Sequence, residues 1–213
     1  MTPLRKVASM KVKILVFNGF EELDALAPYE VLRSAAAVAG ADMQVDLATL
    51  SRSTEVTAAH GLRMNVDTTL APGEDLDILV VPGGGWGNPA SAVGTRAEVR
   101  RGEIPKAILE LHRSGTLIAG VCTGAMLIAA SGILKGRHGI THHIAVDDLR
   151  TAGTEVIHAR VVDDGDVITS AGVTSGLELA LWLVERCAGP QTAQRVETYL
   201  EYERRGTVWR VVD

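Results

Sequence analysis

The sequence predicts an α/β fold, a three-layer sandwich whose mostly parallel sheet carries helices on both faces and a nucleophile elbow. Three observations point there. Short apolar runs alternate with helix-periodic segments along the chain. Runs such as Asp77-Ile-Leu-Val-Val81 are apolar nearly throughout, as strands buried on both faces are. One run, Thr116-Leu-Ile-Ala-Gly120, passes through Val121-Cys122-Thr123-Gly124 into a helix-forming stretch over 125–130. That is strand, sharp turn and helix, with a thiol at the corner.

In order, residues 1–10 carry Arg5 and Lys6 without a long apolar stretch. They read as a loose leader rather than a signal peptide, and residues 11–213 as one domain. Residues 12–17 form a buried strand, and Asn18-Gly19-Phe20 turns the chain. Glu21, Glu22 and Asp24 open a helix through Tyr29, Val31, Leu32 and Ala36, with Pro28 near its start. Residues 43–49 form a strand; 55–59 and 62–66 form a hairpin about His60-Gly61. The strand over 77–81 ends abruptly in Pro82-Gly83-Gly84-Gly85-Trp86-Gly87. Residues 96–113 have helical spacing, with Pro105 as a candidate start. After the elbow, 137–143 reads as a short strand carrying Thr141-His142-His143, followed by a short helix through Leu149. Strands over 155–162 and 167–170 flank Asp164-Gly165. Residues 174–187 are helical, with a capping-box signature at Ser175 and Glu178. Residues 192–203 make a last amphipathic helix.

With 213 residues the chain can build one full core, and 46% apolar with 22% charged residues is ordinary globular composition. A net charge of -5 gives no reason to expect nucleic acid as partner. No apolar run reaches bilayer-spanning length, so no membrane partner is expected. Two cysteines, Cys122 and Cys187, do not indicate a disulfide framework. A reducing cytoplasm fits and keeps Cys122 free; Cys187, on an apolar helix face, reads as core.

Ligands of parallel sheets bind beyond the carboxyl ends of the strands. The loop after Phe17, the glycine loop after Val81 and Cys122 all fall there, so they converge on one sheet edge. A thiol at a helix N-terminus has a lowered pKa and can act as nucleophile; the alternative is a buried core cysteine. The N–H groups of Gly84 and Thr123 can form an anion-stabilising pair, against a plain tight turn. Asp24 and Glu21 are the candidate proton carriers, and a carboxyl beside a thiolate has a raised pKa. His142 is either a base in reach of the thiol or a structural hydrogen-bonding histidine. Gly85 and Trp86 either line the pocket or cap it. No Cys/His cluster has zinc-ligand spacing, so no metal is expected.

Taken together, Phe17-Asn-Gly-Phe-Glu-Glu-Leu-Asp24 with Pro28, Val80-Val-Pro-Gly-Gly84, Gly120-Val-Cys-Thr-Gly124, Leu134-Lys-Gly-Arg137, Thr141-His142 and Ser170-Ala-Gly-Val-Thr-Ser-Gly176 resemble the ThiJ/PfpI superfamily. These pieces run in family order across residues 12–203. The resemblance implies a flavodoxin-like sandwich of the class I glutamine amidotransferase type. Within it the chain is most similar to the isocyanide (isonitrile) hydratases, through Cys-Thr-Gly, aspartate at position 24, the Thr-His pair and Gly172-Val-Thr-Ser-Gly176. That implies cofactor-free hydration of a small-molecule isocyanide to an N-substituted formamide, by a homodimer. Cys122 would attack, Asp24 would shuttle protons, and Gly84 and Thr123 would orient the intermediate. Glyoxalase or deglycase chemistry on small aldehydes, and a ligand- or redox-sensing role, are the alternatives. The chain departs from the hydratases at His143, where they carry an aromatic, and in its loop Gly85-Trp86-Gly87-Asn88-Pro89. It departs from the peptidase branch at Thr123, where that branch has histidine.

Overall fold

The structure, a computed structural model, describes residues 9–50, 55–71 and 73–211. Of the expected leader, residues 1–8 lie outside this set, and Met10 already belongs to the first strand, β1 (Met10–Leu15). Helix α1 (Glu22–Ala39) contains Pro28 in its interior rather than its first turn. The missing proline N–H takes the helical partner from the Asp24 carbonyl, one turn earlier. Next come β2 (Met43–Ala48) and the antiparallel pair β3 (Val56–Thr57) and β4 (Arg63–Met64), where the sequence placed a strand and a hairpin. β5 (Ile78–Val81) is buried throughout. The helix expected over 96–113 is two, α2 (Thr95–Arg101) and α3 (Glu103–Arg113). Gly102 breaks it at φ 78, a conformation glycine adopts without steric cost. Pro105 falls in the first turn of α3.

β6 (Leu117–Gly120) and α4 (Gly124–Ala130) frame the elbow. The strand expected over 137–143 shrinks to β7 (His138–Gly139). His143 instead starts a 3-10 turn (His143–Ala145) leading into α5 (Val146–Thr151). The strand expected over 155–162 divides: β8 (Glu155–Val156) pairs with β7, whereas β9 (Val161–Asp163) pairs antiparallel with β10 (Val167–Ser170). In α6 (Ser175–Ala188) the expected capping box does not form. Ser175 Oγ is buried without a partner, and Glu178 turns to the Arg160 guanidinium, a charged donor stronger than a backbone amide. α7 (Pro190–Leu200) begins with its proline at the start of the helix, and β11 (Trp209–Arg210), not foreseen, adds an edge strand to β9.

The main sheet runs β11-β9-β10-β6-β5-β1-β2, and every pairing in it is parallel except β9 with β10. Helices α1, α6 and α7 pack together as one covering layer, and α2, α3 and α4 as the other. This is the expected three-layer α/β sandwich. Its position-fixing feature is the run β10-β6-β5-β1: four parallel neighbours whose carboxyl ends share one edge. No helix among the described residues is long and apolar enough to cross a membrane.

Candidate active site

Four loops meet at that edge. Cys122 follows β6 at φ 56, one of two non-glycine residues with positive φ among those described. Its own N–H is shared between the carbonyls of Ser170 (3.2 Å) and Ala171 (3.1 Å), and its carbonyl accepts from the Thr141 hydroxyl at 2.9 Å. The strained corner is therefore tied on both sides, to the loop after β10 and to the segment after β7. Glycine is required around it by contact. A Cβ on Gly124 would lie 2.0 Å from the Val81 carbonyl oxygen, and one on Gly83 2.5 Å from the Thr123 nitrogen.

Asp24, in the first turn of α1, is fully buried. Its Oδ2 accepts from the Gly83 N–H at 3.0 Å, while Oδ1 is buried with no formed hydrogen bond. The carboxyl and the Cys122 thiol act on each other directly. Burial raises Asp24 to about 7; the Gly83 amide and the thiol oppose this and the charge of Glu21 adds to it. Burial and the charge of Asp24 push the Cys122 thiol up to about 12, against the pull of the Val173 and Thr123 backbone amides. This reverses the expectation of a lowered thiol pKa. Cys122 is 5% exposed, and the field of the short helix α4 is outweighed by lost hydration and a neighbouring carboxylate. The resting pair is thus a protonated thiol beside a carboxyl poised near neutrality, an arrangement that can pass one proton back and forth.

The expected pair of Gly84 and Thr123 amides is also revised. Gly84 N–H donates to Thr123 Oγ1 at 2.9 Å, so it is engaged within the protein. The Thr123 backbone amide faces the sulfur together with that of Val173, which the sequence reading carried only as part of the Gly172–Gly176 turn. Glu21 borders the site: its N–H donates to the Gly83 carbonyl at 2.9 Å, and its carboxylate pairs with His60 at 3.0 Å. Glu22 Oε1 accepts from the His60 and Leu62 amides, and Glu21, Glu22 and His60 bring their ligand-type atoms within 4.8 Å of one another. The first two contacts dock the β3–β4 hairpin onto the start of α1.

His142 stands against Gly172, where an added Cβ would meet its ring at 2.5 Å, and its Nδ1 accepts from the Ile144 amide at 3.3 Å. Burial and the adjacent His143 lower its pKa. Among the described residues no hydrogen bond joins it to Cys122, while its ring feels the charge of Glu21 at the border of the site. Gly85 lies at φ 70 against Gly94. Trp86 is 7% exposed, its indole N–H donating to Asp148 at 2.7 Å and its ring covered by Arg96 at 4.1 Å. It caps the loop. Cys187 is partly buried against the core, and burial raises its pKa.

With this geometry in view, the sequence pattern of the DJ-1/PfpI family matches residues 10–186. An isonitrile hydratase of Pseudomonas putida is 32% identical over 194 residues, 91% of this chain and 79% of that protein. A deglycase of Pyrococcus horikoshii is 31% identical over 164 residues, 76% of this chain and 89% of that protein. Among solved structures, a ThiJ/PfpI family protein from Pseudomonas syringae superposes with a TM-score of 0.80 at 27% identity, covering 94% of this chain and 79% of that one.

Proposed function

The chain belongs to the DJ-1/PfpI family, and from that premise we propose that it hydrates a small isocyanide to an N-substituted formamide at Cys122. The observation that carries this is the burial of the Cys122 thiol and the Asp24 carboxyl beside each other, where lost hydration pushes both pKa values up. An isocyanide carbon accepts a nucleophile and a proton at the same atom. As the sulfur bonds to that carbon, the Asp24 carboxylate takes the thiol proton and delivers it there, forming a thioimidate, S–CH=N–R. Water adds across the C=N bond, with Asp24 passing a water proton to nitrogen. Collapse of S–CH(OH)–NH–R releases the formamide, and the hydroxyl proton returns through Asp24 to the departing sulfur. The sum is isocyanide plus water to formamide, and no cofactor enters it.

A second reading is supported by the deglycase relative: the same thiol and acid acting on an aldehyde. Sulfur attack on an aldehyde develops an alkoxide, which calls for free donors. The Gly84 N–H, the donor expected for that purpose, is engaged by Thr123. Thiol addition to an isocyanide builds no oxyanion in the attack step, and an oxygen-bearing adduct arises only when water adds, so the engaged Gly84 N–H weighs against the second reading at that step.

The test supplies the purified protein with an alkyl isocyanide and, separately, methylglyoxal, and measures formamide and lactate. Formamide is expected, and Cys122→Ala is expected to lower its rate by at least about a thousandfold. Lactate without formamide moves the assignment to the second reading. Turnover of neither points to a sensing role, and full activity in Cys122→Ala removes every scheme that uses the thiol.

A further inference from the structure

A cavity of about 300 Å³ lies where β11 joins the edge of the sheet. It is bounded by Arg160 at the start of β9, Glu178 and Trp182 of α6, and Arg204, Arg205 and Arg210 from the segment after α7. The arginines divide into two kinds. Arg160 grips Glu178 with two bonds, of 2.9 and 2.7 Å. Arg204 is held by Glu185 at 2.6 Å and Glu197 at 2.8 Å. Arg205 and Arg210 have no carboxylate partner among the described residues. The charge of Arg205 is felt at the Tyr202 phenol, and the Arg210 guanidinium stands 5.5 Å from the centre of the Trp182 ring. Both of these residues are exposed.

Among the described residues, no carboxylate pairs with the two guanidinium groups that Arg205 and Arg210 add to this wall. Glu178 does not cancel their charge, because its oxygens are already taken by Arg160, the Tyr202 hydroxyl at 2.7 Å and the Arg205 amide at 3.4 Å. Arginines lining a concavity are suited to a phosphate or carboxylate head, since a guanidinium fork can give such a head paired N–H bonds. Low-dielectric walls concentrate such anions. The volume is at the lower end for ligand pockets, so the ligand is small. We propose that this cavity binds a small organic oxyanion through Arg205 and Arg210, with Arg160 and Arg204 fixing the shape of the floor. The site stands apart from the thiol chemistry and does not rest on it.

Calorimetric titration of the full chain with inorganic phosphate and with malonate, against sodium chloride at matched ionic strength, tests this. Saturable one-to-one binding of at least one probe is expected. The Arg205→Ala/Arg210→Ala double variant is expected to weaken it at least about tenfold, with an unchanged circular-dichroism spectrum because both side chains are exposed. Binding of phosphate alone identifies a phosphoryl ligand, and binding of malonate alone a carboxylate. Absence of saturable heat with both probes, or a double variant that binds as tightly as the parent, overturns the proposal.

Discussion

Cys122 holds φ 56, a backbone region that costs a residue with a side chain roughly 1–3 kcal/mol. Glycine escapes that cost, so Cys122→Gly is expected to be more stable than Cys122→Ala by about 1 kcal/mol. Urea unfolding of the two variants measures it, and equal stability would show that the corner is unstrained. Asp24 gives a second prediction. Its pKa in the fold, about 7, lies above the value of a free carboxyl. Between the two values the folded protein holds a proton that the unfolded chain has lost. The Asp24 contribution is therefore fully present below the unfolded pKa and is lost as pH rises through about 7. Asp24→Asn should flatten that decline, seen as a smaller drop in urea midpoint between about pH 5 and about pH 8. Turnover runs the other way, because the base must be ionised: kcat/KM should rise along a limb centred near 7 that Asp24→Asn loses. A limb that survives in the variant would take Asp24 out of the proton path.

β6 and α4 work only as a pair, because the elbow between them passes against the loop after β5. Gly124 is where they touch: an added Cβ would stand 2.0 Å from the Val81 carbonyl oxygen. Backbone cannot yield there as a flexible side chain can, so Gly124→Ala is expected to destabilise by about 3 kcal/mol, read from urea unfolding. A loss below about 0.5 kcal/mol, the size of a typical surface substitution's effect, would mean that α4 can move off the sheet. The neighbouring elements show why position within an element matters more than composition. Residues 96–113 are helical in period, yet Gly102 at φ 78 ends one helix and starts another.

For the whole molecule, the sheet edge carrying β9 depends on buried charge. Asp163 is 5% exposed and accepts from the Trp182 indole at 2.7 Å, from Arg186 at 3.0 Å and from the Gly165 amide at 3.0 Å. These bonds join β9 to α6 across the face of the sheet. Asp163→Ala leaves Arg186 and the indole N–H without their acceptor, and a loss of about 3–5 kcal/mol is expected in urea unfolding. A near-neutral effect would show that water replaces the carboxylate there. Because α6 also packs on α1, which carries Asp24, loosening this edge should reach the site.

How much of this was legible before folding depends on range. Alternating apolar runs and helical periods, the elbow about Cys122 and the loop glycines are local, since backbone sterics and side-chain periodicity act over a few residues. They carried the three-layer sandwich and the strand–turn–helix elbow that sets Cys122 at the carboxyl end of β6. Strand lengths after residue 137 and the edge strand Trp209–Arg210 were not legible, because two-residue strands have no period to read. Nor was the engagement of the Gly84 N–H by Thr123, which is a matter of ångströms between distant loops. The protonation of the thiol belongs wholly to the tertiary structure. Sequence places a sulfur at a helix start, but the packing that removes its water and sets Asp24 against it decides that the proton stays on.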